Sequence, residues 1–206
     1  DTINKLEDYL ICLREFHNLS DYLTINISSP NTENLRSFHN QNELNELLHA
    51  IKQEKQTLKS DIPIAVKISP DMDENDIERT TETLIKYSID AVIISNTTDR
   101  NRENLNNINK LEKGGLSGKP LEKKSNLLIN KFYKISKNKI IIIGVGGVDS
   151  GRSAYEKIIN GASAVQLYTG MVYKGPNIAF KISEELIKIL KKEGIKNISE
   201  VVGAKN

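Results

Sequence analysis

With 206 residues, 38% of them hydrophobic and 27% charged, the chain is long enough to bury a sizeable core and is neither a disordered nor a collagenous polymer. Its 29 Lys and Arg against 27 Asp and Glu leave only +2, so no bulk field draws nucleic acid or an anionic membrane surface. One cysteine excludes an internal disulfide and a Cys-based metal cluster and fits a reducing compartment, and no apolar run reaches the roughly 18 residues of a spanning helix.

The opening DTINKLEDYL lacks the basic-then-apolar order of a secretion signal. Ile3, Leu6, Leu10 and Leu13 recur at helical spacing and predict a first helix, with Cys12 as a packing residue on it. Then one pattern repeats five times: an apolar run of strand length, a polar turn, and a longer stretch with apolar residues every three or four positions. The strands are expected at Tyr22 to Ile27, Ile62 to Ile68, Ala91 to Ser95, Ile140 to Val145 and Ala164 to Tyr168, all buried on both faces. The helices are expected at Asn42 to Leu58, Glu74 to Tyr87, Lys123 to Ile135, Gly151 to Ile159 and Ile178 to Lys192.

Strand alternating with helix argues for an α/β fold with a parallel sheet, closed as a barrel or left as an open, doubly wound sheet. Five units average about 41 residues each, which suits a (β/α)8 barrel with insertions, but that barrel needs eight. The barrel alternative therefore expects about three units ahead of Asp1. Both methionines, Met72 and Met171, are internal, which agrees with a start that is not the natural one. No solenoid repeat, low-complexity tract or dividing linker appears, so the chain is one domain or part of one.

Both architectures place ligands at the carboxyl ends of the strands, and here those ends are polar. They read Asn26-Ile27-Ser28-Ser29-Pro30-Asn31-Thr32, Lys67, Ser95-Asn96-Thr97-Thr98, Gly144-Val145-Gly146-Gly147 and Tyr168-Thr169-Gly170. Asn26 and Lys67 interrupt apolar runs, and a lysine in a central strand is costly to bury unless it meets an anion. Ser29 taken alone is also ordinary turn chemistry. The glycine turn before a helix opening at Asp149 or Ser150 could present N–H groups to a phosphate. It matches neither the dinucleotide fingerprint, whose third glycine position holds Asp149, nor a P-loop. A barrel accounts for it better, because phosphate sites recur on the loops after its last two strands.

Other chemistries fail on spacing. His17, His39 and His49 are too far apart for a zinc-helix motif and read as surface or packing residues. Lys119 takes the final glycine position of a nucleophile elbow at Gly115-Leu116-Ser117-Gly118. The lysines between 188 and 192 read as a solvated helix face.

Taken in order, INISSPNT, IAVKISPD, ISNTT, GGLSGKPL, IIGVGGVDS, GASAVQLYTG and KGP closely resemble the class 2 dihydroorotate dehydrogenases, over the whole chain. The resemblance implies a truncated (β/α)8 TIM barrel holding about strands four to eight, with residues 1–206 forming the C-terminal part of a single FMN-binding domain. It also implies oxidation of dihydroorotate to orotate in pyrimidine synthesis, with electrons passing to a membrane quinone. The expected location is peripheral, on the cytoplasmic side of a bacterial membrane or on the mitochondrial inner membrane, through an amino-terminal segment ahead of Asp1; neither a metal nor nucleic acid is implied. Ser29 matches the family's catalytic base, and Asn26, Asn31, Asn96 and Thr97 match its substrate contacts. Asn26, Lys67, Ser95, Gly118, Gly147, Tyr168 and Thr169 match its flavin contacts, the last three near the phosphate. Class 1 relatives carry cysteine where Ser29 stands, so the serine favours class 2. Two alternatives remain at this level: a class 1 enzyme, and a non-catalytic half-barrel that binds flavin or phosphate or serves in assembly.

Overall fold

The computed structural model describes residues 5–31, 35–100, 102–103 and 105–206. In chain order it runs α1 (Lys5–Phe16), β1 (Leu23–Asn26), α2 (Gln41–Leu58), β2 (Ile64–Ile68), α3 (Glu74–Lys86), β3 (Ala91–Ile94), α4 (Glu122–Ser136), β4 (Ile141–Val145), α5 (Gly151–Ile159), β5 (Ala164–Gln166), α6 (Thr169–Lys174) and α7 (Ile178–Glu193), with short 3-10 turns between some of them. The helix boundaries have local causes. Asn40 and Asp73 cap α2 and α3 by accepting from the N–H groups of Asn42 and Asp76, Ser150 and Ser153 cap α5 reciprocally, and Gly194 ends α7 in the left-handed conformation.

The five strands form one parallel sheet in sequential order, β1-β2-β3-β4-β5. Register follows side-chain volume and polarity. Asn26 lies opposite Lys67, Lys67 opposite Ile93, and Ile93 opposite Ile143, so these four share one face. The other face carries Ile25, Val66, Ile68, Val92, Ile94 and Ile142. These pack against the apolar stripes of the helices, such as Leu44, Leu48 and Ile51 of α2 and Leu128, Ile129 and Phe132 of α4, in the main core. The inner face holds a second, smaller cluster of Ala65, Ala91 and Ile93 flanked by Ile143 and Val145. Short residues low on the inner face with larger ones above are the layered filling of a barrel interior. Sequential parallel strands with helices on one side only are consecutive units of a (β/α)8 barrel.

Two expectations are corrected. Only β2 and β3 are buried throughout or nearly so. In β4 burial alternates, with Ile142 and Gly144 covered by helices and Ile141 on the open inner face 54% exposed; β1 and β5 are open too. The reason is closure: β1 and β5 each pair on one side alone among the described residues, so the inner face between them has no opposite wall. Cys12, expected to pack, is exposed, because α1 turns Leu10 and Leu13 to the core and leaves Cys12 on its solvent side. Ile3 lies outside the described residues, as does the side chain of His39. No described helix is long and apolar enough to cross a membrane.

Candidate active site

The carboxyl ends of the strands surround a cleft of about 880 Å³, within the range of a cofactor site. Its wall includes Lys67, Ser95, Asn96, Thr97, Gly118, Gly147, Tyr168 and Thr169, eight of the residues singled out from sequence, contributed by four strand ends and the loop ahead of α4. Asn26 joins this group through hydrogen bonds. Its Oδ1 accepts from Asn96 Nδ2 at 3.3 Å and from the Ser28 hydroxyl at 3.1 Å, while Asn96 Nδ2 also reaches Ser28 Oγ at 3.1 Å. Asn96 Oδ1 accepts the Thr97 N–H at 2.8 Å. The carbonyl of Asn26 accepts from the Tyr9 hydroxyl at 2.7 Å, which burial pushes up to about 12 with Asp8 adding to the shift. The two asparagines are therefore held rigidly, with amides that can both donate to and accept from a planar ring.

Ser29 and Asn31 do not line the cleft. They lie on the loop after β1, where the Ser29 hydroxyl accepts the Asn31 N–H at 3.2 Å and Asn31 is exposed. That loop still abuts the rim. A Cβ at Gly115, on the cleft wall, would fall 3.1 Å from Pro30 Cγ and 1.8 Å from Thr97 Oγ1, so only glycine permits the three segments to meet there. Thr32 lies outside the described residues.

Lys67 lines the cleft with no hydrogen bond or ion pair to its ammonium among the described residues, and burial lowers its pKa. A half-buried, unpaired cation is what an anionic or electron-rich ligand would satisfy. At the opposite end, Gly147 takes φ +77°, and a Cβ there would meet Glu122 Cβ at 2.4 Å. The N–H groups of Gly147 and of Thr169, the first residue of α6, donate no hydrogen bond within the described structure. Ser117 and Thr169 hydroxyls stand 2.8 Å apart beside them. Together these donors suit a phosphate. The amino end of α5 does not contribute as expected. The N–H of Asp149 is taken by Ser153 Oγ at 2.9 Å and that of Gly151 by Glu185 at 2.5 Å, so the anion-seeking donors are those of the glycine turn and of α6.

Two of the lysines that line the cleft are paired at its rim. Lys174 approaches Asp149 to 3.2 Å and Lys119 stands 3.9 Å from it. Burial raises the Asp149 carboxyl, but the Lys174 hydrogen bond and both ammonium charges outweigh it and hold the group below the usual carboxylate range. Sequence reasoning missed Ser28, although it sits between two residues it singled out. It also missed the contact of Asp71 with Thr98 Oγ1 (2.6 Å) and Lys124 behind the loops, whose one signal was a polar Ser-Pro-Asp turn at the end of β2.

A parallel sheet whose strand ends surround a cleft lined by the half-buried Lys67, by a hydrogen-bonded pair of amides and by main-chain N–H groups without a partner among the described residues defines a barrel protein with its candidate binding cleft at the carboxyl ends of the strands. The family model for dihydroorotate dehydrogenase matches residues 2–190, and the chain belongs to that family. It is 40% identical over 205 residues to the dihydroorotate dehydrogenase (quinone) of Bartonella tribocorum, covering 97% of this chain and 57% of that protein. With the protein of the same name from Nitrosomonas europaea it shares 45% over 184 residues, 86% of this chain and 53% of the relative. The crystal structure of DHODH from Eimeria tenella in complex with ferulenol superposes on the whole chain with a TM-score of 0.96 at 32% identity, using 59% of that chain. The chain thus spans about half the length of the curated relatives it matches.

Proposed function

We propose that this protein oxidises dihydroorotate to orotate with FMN as its cofactor and a membrane quinone as the electron acceptor. The observation that carries this is the Lys67 ammonium, without a partner among the described residues, in a cleft whose Asn96 is hydrogen-bonded to Asn26 and Ser28. The quinone rests on the names of the relatives and on serine, not cysteine, at position 29. Association with the membrane surface follows from a quinone acceptor, and residues 1–206 are proposed as part of a single barrel domain.

FMN, when bound, supplies a hydride acceptor. Gly147, Tyr168 and Thr169 would hold its phosphate, with Ser95 and Gly118 along the wall and Lys67 offering positive charge where negative charge develops on the ring. Asn26, Asn31, Asn96 and Thr97 would orient the substrate. Desaturation removes a proton from C5 and a hydride from C6, leaving the C5–C6 double bond. Ser29 is assigned the proton. A serine hydroxyl is a weak base, so the half-buried Ser29 oxygen takes the C5 proton only as its own hydroxyl proton passes on to solvent water, and the Asn31 N–H at 3.2 Å stabilises the negative charge that builds on that oxygen.

The test is the flavin absorption band of the purified protein before and after anaerobic dihydroorotate. Bleaching in the parent, with Ser29→Ala retaining FMN but bleaching at least about a hundredfold more slowly, supports the assignment. Bound flavin that dihydroorotate cannot reduce would sink the activity and leave the fold standing.

A further inference from the structure

Lys157 is the one Lys or Arg side chain in the core among the described residues, at 0% exposure. It rises from α5 behind the sheet, filling the gap beside Gly144, where a Cβ would stand 2.9 Å from Lys157 Cδ. An apolar side chain would fill the same gap without the cost of desolvating an amine. Its polar contacts are two neutral oxygens, Ser125 Oγ at 3.0 Å and Asn126 Oδ1 at 2.9 Å, both on α4.

The direction of these bonds is unambiguous. The amine donates to Ser125 Oγ, and the single proton of that hydroxyl goes onward to a main-chain carbonyl, that of Val145 at 2.5 Å or of Ile94 at 3.3 Å. Carbonyls only accept, so the chain of bonds runs amine, hydroxyl, carbonyl. The two carbonyls close β4 and β3, and the Val145 carbonyl also accepts the Ser95 N–H at 3.3 Å. Immediately beyond them come Ser95 and the Gly146-Gly147 turn, which line the cleft, whereas Lys157 and Ser125 do not.

We infer that Lys157 and Ser125 are positioning residues that act as one relay, holding the ends of β3 and β4 together so that Ser95 and the Gly146-Gly147 turn keep the spacing FMN binding requires. This rests on the flavin reading above. The relay acts from behind the sheet, touches no ligand, and works in either protonation state of the lysine, since an amine and an ammonium both donate.

The test is the release of FMN from the loaded protein, followed as recovered flavin fluorescence on dilution, in the parent, Lys157→Met, Ser125→Ala and the double variant, with melting temperatures in parallel. Each single change is expected to weaken FMN binding about tenfold, and the double change no further than the stronger single one, because a relay is broken once. Folded single variants that hold FMN as tightly as the parent, with only their melting temperatures lowered, would reduce both residues to a structural role and overturn the inference. Effects that multiply in the double variant would overturn the relay as well. Should Lys157→Met fail to fold, Ser125→Ala, which loses one oxygen, decides by the same criterion. A parent that carries no FMN and cannot be loaded with it would remove the flavin reading and this inference with it.

Discussion

At the scale of single residues, two lysines break apolar patterns and meet different fates. Lys67 is half-buried on the wall of a cleft and has no partner among the described residues, whereas Lys157 is sealed in the core with two. Burial pushes Lys157 down to about 7, against a smaller opposing pull from Glu122, the carboxylate that pairs with Lys119 at 2.5 Å. The unfolded chain holds that proton up to about 10.4. Between the two values the unfolded state binds more protons than the folded one, so this residue makes stability rise with pH across that window and adds no pH dependence below it. From pH 7 to pH 9 the parent is expected to gain about 2 kcal/mol relative to Lys157→Met. Denaturant titrations of both proteins across that range measure it, and parallel pH profiles would show that the lysine is not titrating there.

At the scale of elements, the loops that form the cleft are locked from behind. Asp71, just after β2, accepts from Thr98 Oγ1 at 2.6 Å and pairs with Lys124 of α4. Thr98 in turn makes an isolated antiparallel bridge with Leu116 through two main-chain bonds of 3.1 and 2.7 Å. One carboxylate thus joins the end of β2, the loop carrying Asn96 and Thr97, the glycine loop at Gly115 and the first turns of α4. Burial raises the Asp71 carboxyl, but bonds from Lys124 and Thr98 outweigh it and hold it below the usual range. Asp71→Asn leaves Lys124 without its charge partner in a partly buried place, and a loss of about 2 kcal/mol is expected. Thr98→Val, which removes one neutral donor to the same carboxylate, is expected to cost about 1 kcal/mol. Urea midpoints at unchanged m-value would measure both, and a midpoint for Asp71→Asn equal to that of the parent would show that the lock contributes nothing.

At the scale of the whole molecule, closure dominates. Among the described residues β1 and β5 each leave one row of main-chain groups unpaired, and Tyr168, Tyr173 and Phe180 beside β5 are 75%, 85% and 67% exposed. Unpaired parallel edges flanked by apolar surface template association. The 206-residue chain expressed by itself is expected to self-associate, with size-exclusion chromatography and light scattering as the check. A monodisperse monomer with a cooperative melt would contradict this.

Most of the fold was legible in the amino-acid order, because burial imposes a period on it. The alternation of apolar runs with 3.6-residue stripes located all five strands, α2 to α5 and α7 to within a residue or two of their observed ends. The polar residues ending each strand pointed to the cleft, since a Lys67 inside Ile-Ala-Val-Lys-Ile has no structural reason to be there. Lys157 escaped notice because a lysine on a helix is ordinary; only its place on the apolar face, between Ala154 and Ile158, hinted at burial. Local order determined which residues form strands and helices and which strand ends carry chemistry, because those properties depend on neighbours a few positions away. Tertiary structure alone decided that the first turn of α5 is already occupied by Ser153 and Glu185, that Ser125 stands between Lys157 and the carbonyls that end β3 and β4, and that β4 is buried on one face. Each of these depends on what distant segments bring to the same point, and sequence periodicity carries no record of that.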